Sequence, residues 1–267
     1  MKNWPFILGG VVVLFLIIGG FLMIFKVGQE QKLTDQTTVE KQVEPPEIQA
    51  RPFFTFSPRG DGRAIQISIS GISPDQKIDY EITYTTVAGL TQGIGGPVAT
   101  ELGQTFYTRE HIFGTCSKNV CTYDKGVENG KWRTTIAKGL EIYELSGDWR
   151  LQNLGTQSIK LGLDGKFEFQ AEPATFSKSV FVITSENSSL PKKLPEGVRL
   201  IAGPLTILAS DTVSFKKPAK VFFPKNTSTN VQILQISAKN PDWTPLETIN
   251  TTASTSSLGT FALVEKI

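Results

Sequence analysis

The chain has 267 residues, 39% of them hydrophobic, which is length enough for two domains of ordinary size and apolar content enough for their cores. Its 27 basic and 25 acidic residues nearly cancel, so no basic excess marks a nucleic-acid surface and no nucleic-acid partner is expected. One histidine, two methionines and two cysteines leave little material for general-base or soft-metal chemistry, so no catalytic residue, metal ligand or cofactor is expected.

Residues 1–4 read as a short cytoplasmic N-terminus. Residues 5–25, PFILGGVVVLFLIIGGFLMIF, follow it, with no charge from Phe6 to Phe25. Twenty residues at a 1.5 Å rise give about 30 Å, the thickness of a bilayer's hydrocarbon core. Trp4 and Lys26 bracket the run. It exceeds the roughly 7–15 apolar residues of a signal peptide, and bulky side chains stand where a small-residue cleavage site would be. The expectation is an uncleaved single-pass transmembrane helix with the lipid bilayer as its partner. Gly9-Gly10 and Gly19-Gly20 would let another helix approach closely. Residues 26–50 are rich in Gln, Glu, Lys and Thr and carry Pro45-Pro46, the composition of a flexible stalk.

From Phe53 the pattern becomes that of strands. AIQISIS alternates, with Ile65, Ile67 and Ile69 on one face, and DYEITYT puts Tyr80, Ile82 and Tyr84 on one face. Gly and Pro punctuate the chain every 8–12 residues or so, the spacing of an all-β sandwich. The fold class expected is all-β: one transmembrane helix, then two Ig-like sandwich domains over residues 51–152 and 153–267. In the second, SIKLGLDGKFEFQ predicts a hairpin turning at Asp164-Gly165, because that pair adopts the positive φ of a two-residue turn.

The two cysteines, Cys116 and Cys121, lie in IFGTCSKNVCTYDKGV. Four intervening residues do not match the two of a thioredoxin-type redox pair, and a zinc site needs about four ligands. A disulfide closing a hairpin end is expected, with two free buried thiols as the alternative. Disulfides persist outside the cytoplasm, so the pair places the bulk of the chain on the extracytoplasmic side.

Other candidate features have mostly structural readings. His111 would be the base of any Ser-His-acid triad, but no G-x-S-x-G surrounds a serine, and a strand-face position beside Arg109 and Glu110 is expected. Glu144 and Asp148 could form a carboxylate pair, although acids on strands are ordinarily solvated. Arg59-Gly60-Asp61 reads as a hairpin tip. GLTQGIGGPVATELG lacks the Lys-Ser/Thr of a phosphate loop and reads as a long mobile loop. Its Leu90, Ile94 and Val98 are the candidate contact residues, with simple edge packing as the alternative. Asn-x-Ser/Thr triplets begin at Asn187, Asn226 and Asn250.

Residues from about 172 to 267 carry LPEGVRLIAGPLTI, VSFKKPAKVFFP, NPDWTPLETI and STSSLGTFALVE. In this order they resemble the ZU5-like β modules of bacterial and archaeal cell surfaces. That family shows an apolar strand, an F-x-K-P strand entry, a W-x-P-L turn and a closing strand. The resemblance implies an extracellular β-sandwich and no reaction. The histidine usual near Gly259-Thr260 in that family is absent here. The first block is Ig-like in strand spacing alone. The function expected is that of a non-enzymatic, membrane-anchored envelope protein displaying two β domains for structural or binding roles, its partner a cell-envelope protein or glycan. The alternative is an accessory single-pass subunit of an envelope secretion or pilus-type assembly.

Overall fold

The computed structural model describes residues 40–99, 103–118, 120–155, 159–176, 178–224 and 230–267. The expected N-terminus, the span 5–25 and most of the stalk lie outside the described residues. Among the described residues no helix is long and apolar enough to cross a membrane. Residues Glu40–Ile267 form one unit.

That unit is all-β. Its strands in the first half are β1 (Lys41–Gln42), β2 (Phe53–Pro58), β3 (Ala64–Ser70), β4 (Gln76–Thr85), β5 (Thr91–Pro97), β6 (Phe106–Ile112), β7 (Gly114–Ser117), β8 (Val120–Tyr123), β9 (Asn129–Lys138) and β10 (Glu141–Leu154). The second half contributes β11 (Ile159–Leu163), β12 (Phe167–Ala171), β13 (Val180–Glu186), β14 (Val198–Ala209), β15 (Ala219–Phe222), β16 (Val231–Ser237), β17 (Asn240–Pro245), β18 (Thr248–Ile249), β19 (Thr252–Thr255) and β20 (Gly259–Lys266).

One ten-stranded sheet runs through both halves in the order β17-β16-β20-β14-β13-β10-β9-β4-β5, with β1 added parallel to β10. The other pairings among the described strands are antiparallel. A three-stranded sheet, β2-β3-β6, and a five-stranded sheet, β11-β12-β15-β19-β18, complete the layers, and β7-β8 stands apart as a hairpin.

There are two cores. The first gathers Phe54, Phe56, Ile65, Ile67, Ile69, Tyr80, Ile82, Tyr84, Trp132 and Trp149; the second gathers Leu161, Phe167, Phe169, Val221, Phe261 and Leu263. The alternation of AIQISIS and DYEITYT thus buries the expected faces. First-core residues run from Phe54 to Leu151 and then include Ile183, while the second core begins at Leu154.

The two cores lie on opposite faces of the shared sheet, because successive strand residues point to opposite sides. Along β13, Val182 belongs to the second core and the adjacent Ile183 to the first. The register agrees: Ile183 opposes Leu151 of the first core, and Val180 opposes Leu154 of the second. Strand β13 is therefore buried on both sides, which is why it opens on the unbroken apolar run VFVI rather than on an alternating one, and why the Thr184 and Ser185 that follow are buried as well. Gly147 on β10 allows a further stitch. The Trp132 indole N–H donates to Glu186 O at 2.9 Å, and a Cβ at Gly147 would come within 2.6 Å of that nitrogen.

Two details differ from expectation. The folded unit begins within the predicted stalk: Lys41 N–H donates to Leu140 O at 2.7 Å, Val43 packs on the first core, and Leu190 N–H donates to Ile48 O at 3.2 Å. Arg51 adds to this strap, donating to Pro46 O at 2.6 Å and to Ser188 O at 2.9 Å. The β11–β12 hairpin turns over three residues, since Leu163 opposes Phe167, and Gly165 takes the positive φ of 69°.

Candidate functional site

Four chain segments meet at one end of the first core. They are the β2–β3 turn, the β4–β5 turn, the β7–β8 hairpin and residues 124–128. Backbone bonds tie them together: Phe113 N–H to Arg63 O at 2.9 Å, Asp124 N–H to Phe113 O at 2.9 Å and Val87 N–H to Lys125 O at 2.7 Å. The chain enters the unit at Lys41, which bonds to Leu140 at the opposite end of β10. From Glu141 to Arg150 the strand spans about 30 Å at roughly 3.3 Å per residue.

The hairpin is the most distinctive of these segments. Cys116 and Cys121 are directly opposed and form a disulfide, in agreement with the hairpin-end expectation. No residue of β7 or β8 is buried. A two-stranded hairpin that adds no residue to a core is at best marginally stable in water, so the cross-link, more than packing at its half-buried base residues Gly114 and Tyr123, holds its shape.

At its base, Arg59 and Arg63 lie over the Tyr123 ring at 5.6 and 5.1 Å. The Arg-Gly-Asp tripeptide closes on itself: Arg59 Nε and Nη2 donate to Asp61 Oδ1 and Oδ2 at 2.8 and 2.9 Å. Those hydrogen bonds from Arg59 hold the Asp61 carboxyl down at about 2. With both charges engaged in the turn, the tripeptide serves as the hairpin tip expected of it. Deeper in, the Tyr84 hydroxyl donates to Asp124 Oδ2 at 2.8 Å, and burial, followed by that bond, raises its pKa.

Three aliphatic side chains are exposed at this pole: Val87 (76%), Leu90 (60%) and Val120 (72%). Of the predicted contact residues, only Leu90 belongs to it. The glycine-rich stretch is not a mobile loop through its centre but the edge strand β5, whose Ile94 packs against the first core, as does Val98 just past its end. A Cβ on Gly95 would meet Tyr80 O at 2.0 Å, so this glycine serves close approach to β4. Val87 and Val120 had no periodic signature to announce them, each lying beside a turn.

A cleft of about 670 Å³ adjoins the pole where the second half begins, lined by Gly62, Asp124, Val127, Glu128, Arg150 and Phe181 among others. Its Arg150 is held by Asp164 through two bonds of 3.1 and 2.9 Å. A second cleft, about 500 Å³, contains the chain Lys131–Asp148–Lys166–Glu186, with contacts of 3.2, 2.9 and 2.6 Å. Burial pushes the Asp148 carboxyl up, but the hydrogen bonds from Lys166 and Lys131 outweigh it and hold the group below its usual range. Such an acid stays ionised, so this cleft presents a closed ion-pair network rather than a proton donor. Glu144 is exposed four residues earlier on the same face of β10.

His111 faces the interior of the first half, where its Nε2 lies 2.6 Å from the Tyr80 hydroxyl. Burial, then the charge of Arg109, depresses its pKa. Asn187 is buried and donates to Thr206 Oγ1 at 2.7 Å, whereas Asn250 is exposed in a turn with φ 55°. Asn226 lies outside the described residues.

No family model matches the chain, and no curated protein does either.

Proposed function

We propose that the chain is a membrane-anchored envelope protein that displays a rigid pair of Ig-like β-sandwiches and uses the loop pole of the first as its contact surface. One observation carries the reading: the only disulfide of the chain fixes a hairpin that contributes nothing to either core. Fold stability does not call for that cross-link, whereas presentation of a preformed surface does, since preorganisation removes an ordering cost from binding. A disulfide also requires an oxidising compartment, which fits an extracytoplasmic body behind the apolar segment 5–25. The ZU5-like resemblance expected for residues from about 172 to 267 would imply the same placement.

Topology is the test. The full chain is expressed and intact cells are exposed to protease and, separately, to a thiol-reactive mass tag. The expected outcome is digestion from outside and no tagging of Cys116 or Cys121 until a reductant is added. A protected body whose two thiols tag without reduction overturns the proposal and makes the chain an intracellular one.

A further inference from the structure

We infer that a second copy of this chain pairs along the outer edge of β5, antiparallel and centred on Ile94. The ten-stranded sheet ends on β17 at one side and on β5 at the other. An open edge invites a further strand unless a proline, a charge or a cover blocks it. Strand β17 carries Pro241, Pro245 and the Asp242–Lys192 ion pair. The edge of β11 is capped by a side chain: Gly162 N–H donates to Gln152 Oε1 at 3.2 Å, and Gln152 Nε2 donates to Lys160 O at 3.4 Å. Edge strand β6 sets Arg109 opposite the core residue Ile67, a charge on the inward face. From Leu90 to Gly96 the β5 edge has neither charge nor proline.

The register with β4 shows which backbone groups are free. Thr86 N–H donates to Leu90 O at 2.9 Å and Val98 N–H to Ile78 O at 2.8 Å, so the even-numbered residues from Leu90 to Val98 bond to β4. The N–H and C=O groups of the exposed Thr91, Gly93 and Gly95 therefore point outward, and among the described residues no strand pairs with them. The occupant follows from the sequence of this edge. Two-fold antiparallel pairing sets each position against the one equally far beyond the centre. About Ile94 the stretch LTQGIGGPV is self-complementary. Leu90, 60% exposed, meets the half-buried Val98 of the second copy, Ile94 meets its own counterpart, and Gly93 meets Gly95. Each outward N–H then reaches a C=O of the second copy, while Pro97, which has no N–H to offer, falls opposite Thr91 at the end. The Glu81 carboxylate, 3.0 Å from a Cβ built on Gly93, would meet its counterpart in a pairing centred on Gly93, and the Ile94 centre keeps the two apart. A strand from an unrelated protein would call for none of this symmetry. A single edge is a small interface, so the pairing is reversible and rises with protein concentration.

The test is cross-linking of the full chain in detergent micelles under mild oxidation. One cysteine at a time is introduced on β5 (Q92C, I94C), β6 (T108C) or β17 (T244C), with the Cys116–Cys121 pair left in place. The expected result is an interchain disulfide in I94C and at least about fivefold less in Q92C, since Cα atoms more than about 7 Å apart cannot be bridged. A Cβ at Gly93 meets only the Glu81 side chain, so this position accepts substitution. Adding G93P removes an outward N–H and no bond to β4, and adding G93K puts a lysine on the edge. Each should abolish the I94C product with the melting curve of I94C unchanged, and G93K decides if G93P melts early. No I94C product at any protein concentration overturns the inference. So do equal yields at Q92C and I94C, an equal yield on β6 or β17, or a product that survives G93K. Chains that merely share a micelle cross-link alike at every position, which tells collision from pairing. The inference stands whichever side of a membrane the body occupies, so the thiol-tag result leaves it untouched.

Discussion

His111 is the single histidine of the chain, so it alone among the side chains has an ordinary pKa between the carboxylates and neutrality. In the folded chain it meets Tyr80, and burial together with Arg109 lowers its pKa from the ordinary value of 6.5. The sign follows from linkage. Above about pH 6.5 the ring is neutral in both states and the full stability is present. As pH falls through that value, the unfolded chain takes up the proton first and folding is progressively disfavoured, until the folded-state pKa is passed. The Asp61 carboxyl, held at about 2, contributes its loss only in stronger acid. Stability should therefore decline as pH falls below about 6.5, and H111Q should remove most of that slope. The one imidazole resonance, followed by proton NMR, should titrate with a midpoint below 6.5. A midpoint at or above 6.5, or an unchanged slope in H111Q, contradicts the assignment.

At the scale of single elements, the disulfide hairpin and β5 show how far local sequence carries. CSKNVC between β-prone flanks was sufficient for the hairpin because the constraint is local: two cysteines, a turn and nothing to pack. The glycine-rich 89–103 stretch misled, because glycine serves both mobility and close backbone approach, and only the position of Tyr80 O tells them apart. The aliphatic residues of the pole were equally opaque, since exposure beside a turn leaves no period in the sequence. The hairpin also yields a prediction. Closing so short a loop contributes at most about 2 kcal/mol through the unfolded chain. Because neither β7 nor β8 enters a core, loss of the cross-link should act locally rather than through global unfolding. In C116S/C121S, amide exchange across residues 114–123 should rise sharply while the thermal midpoint shifts little. A large fall in the midpoint would show instead that the hairpin is coupled to the core.

For the whole molecule, the two blocks were visible in the sequence but their union was not. A strand that changes core partway along, as β10 does between Leu151 and Leu154, reads locally as a broken alternation. The unbroken run VFVI was the available signal, since a strand apolar at successive positions must be covered on both faces. That shared strand has a thermodynamic consequence. Separate sandwiches on a linker would melt independently, but here unfolding either half strips one face of β13 and one edge of the ten-stranded sheet. The unit Glu40–Ile267 should consequently unfold in one cooperative transition, with calorimetric and van 't Hoff enthalpies in agreement. Phe54 and Phe167 are fully buried, one in each core, so F54A and F167A should each cost about 3–5 kcal/mol. In a coupled unit both substitutions lower the same single transition. Two resolved transitions, with each variant moving only its own, would mean that the continuous sheet joins the halves in space without joining them in energy.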